Sequence, residues 1–202
     1  MTSIAHPLPS QRVGSTSAFA TDILNGLGQL QKSIPCQYFY DAAGSALFEQ
    51  ITELPEYYPT RAEVAILHTC IGVIAAKTKP ETVLVEFGSG SSIKTDILLA
   101  ACPAIETYVP IDVSKTSLAL AKARLAHVFP RLRVEPVLGD FTAAVTLPAD
   151  VAVHPKLGFF PGSTIGNFSH EAAVSLLFKF SRFARSTFAS SSALTCESRP
   201  IY

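Results

Sequence analysis

The chain has 202 residues, enough for one well-buried domain or for a domain with a helical appendage. Its formal net charge is zero and only 16% of its residues are charged, so neither nucleic acid nor an anionic membrane is an expected partner. No apolar run nears the roughly 20 residues that span a bilayer, and the first residues lack the basic start and apolar core of a signal peptide. Cys36, Cys70, Cys102 and Cys196 lie far apart without a Cys-x-x-Cys pair, and the five histidines have no ligand spacing. No metal and no disulfide is therefore expected, and the reducing cytoplasm is the expected location.

Residues 1–18 are rich in Ser, Thr and Pro and read as a disordered tail. A helical region is expected over 19–80. Phe19, Ile23, Leu24 and Leu27 share one helical face, and Gly26 and Gly28 weaken that helix near its end. After the loop Tyr38-Phe-Tyr40-Asp41, a second stripe follows at Leu47, Phe48, Ile51 and Leu54. Prolines 55 and 59 interrupt the helical pattern around Tyr57 and Tyr58. Thr60-Arg-Ala-Glu63 has the spacing of a capping box, and Val64, Leu67, Ile71 and Ile74 predict the buried face of a third helix.

From residue 81 to 185 strand and helix patterns alternate, which predicts an α/β core with a parallel-type sheet. Strands are expected at 82–87, 107–111, 132–137 and 157–160. Pro110 is awkward in a central strand but tolerable near a strand end. Ser114 can cap a helix bearing Leu118, Ala121, Leu125 and Val128, and a last helix from about Ser169 buries Ala173, Leu176, Leu177 and Phe180. The serine-rich residues 186–202 break the pattern where another apolar strand is expected.

The organising stretch is Glu86-Phe-Gly88-Ser-Gly90, between the first strand and its helix. Glycines there let the backbone approach a nucleotide-like ligand at the carboxyl end of a parallel strand. Asp112 ends the second strand at the spacing where a carboxylate meets ribose hydroxyls; as a plain alternative it is a turn or cap residue. Asp140, after Gly139, can accept from an adenine amino group, and Phe141 can offer its N–H to the ring. The alternative is a Gly-Asp turn. Together the three strand ends point to one adenosyl ligand across the sheet edge. Ile93 stands where the dinucleotide fingerprint has its third glycine, so S-adenosylmethionine is favoured over NAD. Lys94 could meet the carboxylate of that donor, or be a solvated lysine against the helix dipole. Tyr40, Tyr57 and Tyr58 could form an aromatic lid over an ammonium, or simply pack half-buried. Asn167 could orient an amino acid, or cap the following helix.

The motifs Tyr38-Phe-Tyr-Asp41, Gly44-Ser, Pro55-Glu-Tyr57-Tyr-Pro-Thr-Arg61, Glu86-Phe-Gly-Ser-Gly, Pro110-Ile-Asp112-Val, Gly139-Asp140-Phe141 and Gly162-Ser-Thr-Ile-Gly-Asn167 strongly resemble the histidine-specific, S-adenosylmethionine-dependent methyltransferases of ergothioneine biosynthesis. The resemblance runs from about residue 19 to about 185. It implies a Rossmann-like class I methyltransferase core, preceded by the helical region, that trimethylates the α-amino group of L-histidine to hercynine, as a monomer in the intact family form. It further implies that Gly88, Lys94, Asp112, Asp140 and Phe141 bind the donor, that Tyr57 and Asn167 bind histidine, and that Tyr40 lies near the reacting amine. Members of that family are longer, with a further substrate-binding region after the core. The chain is accordingly expected to be truncated or frame-shifted and nearly inactive on histidine. The rival expectation is a non-catalytic remnant that keeps an adenosyl-binding fold, and a nicotinamide-dependent oxidoreductase is third.

Overall fold

The computed structural model describes residues 17–39, 41–90 and 93–183. The expected N-terminal tail up to residue 16, Tyr40, Ser91, Ser92 and the serine-rich stretch from 184 onward lie outside them. The described residues up to Phe39 form one compact unit and those from Asp41 a second. In the first, α1 (Ala18–Gly28) begins at Ser17, whose side chain accepts from the Ala20 amide. Tyr38, in a single 3-10 turn, donates to Asp22 at 2.6 Å and packs edge-on against Phe19.

The second unit opens with α2 (Ala42–Glu53), capped by Asp41, and α3 (Pro59–Lys77). Strands β1 (Val83–Phe87), β2 (Thr107–Asp112), β3 (Arg133–Val134), β4 (Val137–Leu138) and β5 (Lys156–Phe159) then form one parallel sheet. Its order is β3-β2-β1-β5, and β4 pairs with β2 beyond β3. Between the strands run α4 (Ile93–Ala101), α5 (Lys115–Val128) and the short α6 (Ala149–Ala152), and α7 (His170–Phe183) follows β5. β1 is buried on both faces, as suits a strand apolar at every position but Glu86 in the middle of a parallel sheet.

The period of two divides the core into two layers. Leu84, Tyr108 and Phe159 face Leu67, Cys70 and Ile74 of α3, Leu98 and Leu99 of α4 and Leu125 of α5. Val83, Val85, Phe87, Val109 and Ile111 face Val151, Leu176 and Phe180, and Phe87 stacks on Phe180 at 3.8 Å. Helices thus cover both faces of the sheet, as expected of a Rossmann-like core. A bidentate pair between Arg124 and Asp96 joins α5 to α4.

Three local expectations change. The expected third strand is two short pieces, β3 and β4, separated by Glu135 and Pro136. The amides of Arg133, Glu135 and Gly139 donate to the carbonyls of Glu106, Tyr108 and Asp112, so even-numbered residues of β2 face this edge. Pro110 is even-numbered and has no N–H to give, and the pairing lapses opposite it. The capping box does not form either. Helix α3 starts two residues early, at Pro59, with Tyr58 as an N-cap that makes no side-chain bond, because proline suits the first helical position. Finally, Leu47, Ile51 and Leu54 of α2 stay exposed, as do Phe19, Leu24 and Leu27 of α1, so those stripes are not core among the described residues.

Candidate functional site

Parallel strands with helical crossovers bring the carboxyl ends of β1, β2 and β4 to one edge of the sheet, and each end carries a residue named above. β1 ends in Gly88 and Gly90, with φ of 70° and 48°. A side chain at Gly88 would stand 3.2 Å from the Phe141 ring, whereas at Gly90 no atom lies within 4 Å of that position. The turn therefore presents bare backbone with open space beside it.

Asp112, at the end of β2, closes this turn. Its Oδ2 accepts from the Gly90 amide at 3.1 Å and its Oδ1 from the Ser114 amide at 2.8 Å. Both the turn reading and the ligand reading of this residue are thereby open: each oxygen has a second lone pair, enough to accept from a vicinal diol. Ser114, as expected, caps α5. Beyond β4, Oδ1 of Asp140 accepts from the amide and the hydroxyl of Thr142 at 2.8 and 2.6 Å. Its Oδ2 keeps its acceptor capacity among the described residues. The Phe141 ring packs edge-on against Phe160 and Phe180 as well as over Gly88. These features fit an adenosyl group: backbone free to approach, a diol acceptor and an amino-group acceptor along one edge.

Beneath the turn lies Glu86, fully buried on the face that carries Tyr108. Burial pushes its carboxyl up to about 7, against hydrogen bonds from Thr95 and Tyr108 and the charge of Lys94 that favour ionisation, while Asp112 opposes it. Sequence reasoning named Glu86 only as part of the Glu86-Phe-Gly88-Ser-Gly90 motif and gave it no role of its own. The signal available was its place inside a wholly apolar run.

Lys94, in the first turn of α4, pairs with Oε2 of Glu63 on α3. Oε1 of Glu63 accepts from the Gly162 amide at 2.5 Å. This answers the puzzle of a lysine at the positive end of a helix: its charge is met from another element. Gly162 sits at φ 89° and ψ 177°, a region reserved for glycine. A 3-10 turn, Ser163–Asn167, follows it. Tyr57 donates to Oγ of Ser163 at 3.1 Å and packs edge-on against Phe48. The turn before Tyr57 is held by Arg61, whose guanidinium donates to the carbonyls of Leu54 and Pro55. Tyr57 is thus bonded to the first residue of the turn that ends at Asn167. Asn167 is exposed and does not cap α7; Ser169 does, accepting from the Ala172 amide. Tyr58 is exposed too, and Tyr40 lies outside the described residues. No site role for Glu63, Arg61 or Ser163 followed from the sequence, because their partners lie in distant segments or in the backbone. Among the described residues no cluster could hold a metal ion, and no helix is long and apolar enough to cross a membrane.

Comparison with known proteins identifies the family and the fold. The family model for a histidine-specific, SAM-dependent methyltransferase matches residues 19–191. The histidine N-alpha-methyltransferase of Mycolicibacterium smegmatis is 42% identical over 156 residues, covering 76% of this chain and 48% of that protein. Its counterpart from Mycobacterium tuberculosis is 40% identical over 154 residues, covering 74% and 47%. A 4-dimethylallyltryptophan N-methyltransferase of Aspergillus fumigatus is 28% identical over 195 residues, covering 93% and 58%. The chain spans about half the length of the curated histidine methyltransferases it matches. In fold, it resembles the magnesium protoporphyrin IX methyltransferase of Synechocystis PCC 6803 crystallised with SAH, with a TM-score of 0.53 at 11% identity over 74% of this chain and 66% of that one.

Proposed function

The chain belongs to the histidine-specific, S-adenosylmethionine-dependent methyltransferases, and from that premise we propose that it serves to methylate the α-amino nitrogen of L-histidine. The finer reading is three successive transfers that give hercynine, on the way to ergothioneine, by a monomeric enzyme of the cytoplasm. The observation that carries it is the alignment of Gly88 and Gly90, Asp112 and Asp140 along one sheet edge, with the Gly90 amide already bonded to Asp112.

S-adenosylmethionine, when bound, supplies a methyl group on a sulfonium. Asp112 accepts from the ribose hydroxyls, Asp140 from the adenine amino group, and the Phe141 amide donates to the ring. Lys94 meets the donor's carboxylate, next to the loop where Tyr57 and Asn167 orient the histidine. The transfer is an in-line displacement by a neutral amine, so alignment is the main task of these residues. The histidine ammonium must first lose a proton to a group in reach, a role we give to Tyr40 or to water beside it. Glu86 has no such role, since it is fully buried and turned to Thr95 and Tyr108.

Calorimetric titration with S-adenosylhomocysteine and NAD, beside mass spectrometry of histidine incubated with donor, tests the reading. Binding of the adenosyl product is expected, with mass gains of one to three methyl groups at a turnover far below that of the histidine-methylating relatives, of whose length the chain spans about half. Binding of NAD alone would overturn it. Methylation of 4-dimethylallyltryptophan but not histidine would move the acceptor to an indole amino acid.

A further inference from the structure

Glu63 divides its carboxylate between two segments far apart in the chain. Oε2 pairs with Lys94 at the start of α4, and Oε1 accepts from the Gly162 amide ahead of the Ser163–Asn167 turn. The side chains of Lys94 and Glu63 are only 20% and 32% exposed, so the pair is partly shielded from water and held more firmly than a surface pair. Lys94 Nζ also lies 3.6 Å from where a Gly162 side chain would begin, so the ammonium, the carboxylate and the glycine backbone meet at one point. Gly162 has no side chain with which to anchor the turn. Its amide is held by this one carboxylate, from a helix that begins two residues beyond Tyr57.

We propose that Glu63 is a positioning residue that links the two halves of the site, so that a change at Lys94 is transmitted to the Gly162–Asn167 turn. The inference rests on the reading above that Lys94 meets the donor's carboxylate. An anion arriving at Lys94 takes up part of the lysine's charge. The Glu63 carboxylate, less neutralised, then accepts more strongly from the Gly162 amide. The turn bearing Ser163 and Asn167, to which Tyr57 is bonded, is thereby tightened when the donor is in place. Two ligands joined in this way bind with mutual dependence.

Glu63→Gln is the discriminating variant, because its amide oxygen can still accept from Gly162 while its charge toward Lys94 is gone. The full chain, labelled with nitrogen-15, would be followed at the Gly162 amide resonance. In the absence of any ligand, Lys94→Met should move that resonance in the wild-type background and leave it in place in the Glu63→Gln background. Equal movement in both backgrounds would overturn the link, whatever the ligand is. With saturating S-adenosylhomocysteine, the resonance should move in wild type and stay fixed in Glu63→Gln. Histidine should tighten the adenosyl product by about fivefold or more in wild type and by less than about twofold in the variant. Equal coupling in both proteins would overturn the proposal. Absence of any heat with S-adenosylhomocysteine would instead overturn the donor reading, and the ligand-free arm would still decide whether Glu63 joins Lys94 to Gly162.

Discussion

Thr95 donates its hydroxyl to Oε2 of Glu86 at 2.5 Å, and the Tyr108 phenol donates to the same oxygen. Burial nevertheless outweighs both donors, and the carboxyl titrates at about 7 in the folded protein against 4.5 as its ordinary value. Between those values the folded chain holds the proton and the unfolded chain does not. Stability is therefore greatest at the acid end of this window and falls as pH rises from 4.5 to about 7. Glu86→Gln keeps an acceptor and cannot ionise. Its melting temperature should match wild type near about pH 5 and exceed it near about pH 8. Thermal melts across that range check this, and a difference independent of pH would contradict it.

Asp112 holds the glycine turn through Gly90 and the start of α5 through Ser114. Asp112→Ala should weaken S-adenosylhomocysteine by about 1.5–3 kcal/mol for each charge-assisted bond lost. It should also lower the melting temperature of the ligand-free protein, since two amides lose their acceptor. Calorimetry and melting together separate the two effects.

Gly88, Gly90 and Gly162 all have positive φ, yet their surroundings differ. Gly90→Ala enters open space and should cost about 1–2 kcal/mol from the backbone alone. Gly88→Ala must also displace the Phe141 ring, 3.2 Å away, and should cost more and weaken the adenosyl ligand. At Gly162 neighbours leave room, but the backbone region excludes alanine at about 1–3 kcal/mol. Denaturant unfolding should rank Gly90→Ala as the mildest of the three.

Tyr57→Phe keeps the edge-on packing with Phe48 and loses only the bond to Ser163. Stability should change by about 1 kcal/mol or less. If Tyr57 orients the amino acid, the KM for histidine rises while affinity for S-adenosylhomocysteine is unchanged. An equal loss of donor binding would mark Tyr57 as support for the pocket as a whole.

The strand–turn–helix around Gly88 was legible because a strand buried on both faces is mostly apolar and a backbone with positive φ favours glycine. Leu67 and Ile74, Leu118 and Leu125, and Leu176 and Phe180 followed from helical period in the same way. What the sequence concealed were pairings without local pattern. Glu63 stands three residues after Thr60, so it mimics a capping box, while its partners lie 31 and 99 residues further on. The break between β3 and β4 was hidden for a similar reason: the cause, Pro110, is in the neighbouring strand. The exposed stripe of α2 shows the converse, a helical period that fixes a face without supplying a layer to bury it.

The lapse opposite Pro110 makes β4 a second, separate pairing on β2 rather than an extension of β3. Both pieces pack beside α5, and β4 leads directly to Gly139 and Asp140. Amide hydrogen exchange should register this as two independent openings, read at the amides that donate to β2, with slow exchange at Arg133 and Glu135 and faster exchange at Val137 and Gly139. An adenine held by Asp140 would slow the second pair and leave the first untouched, so the ligand's footprint on this edge would end at a proline.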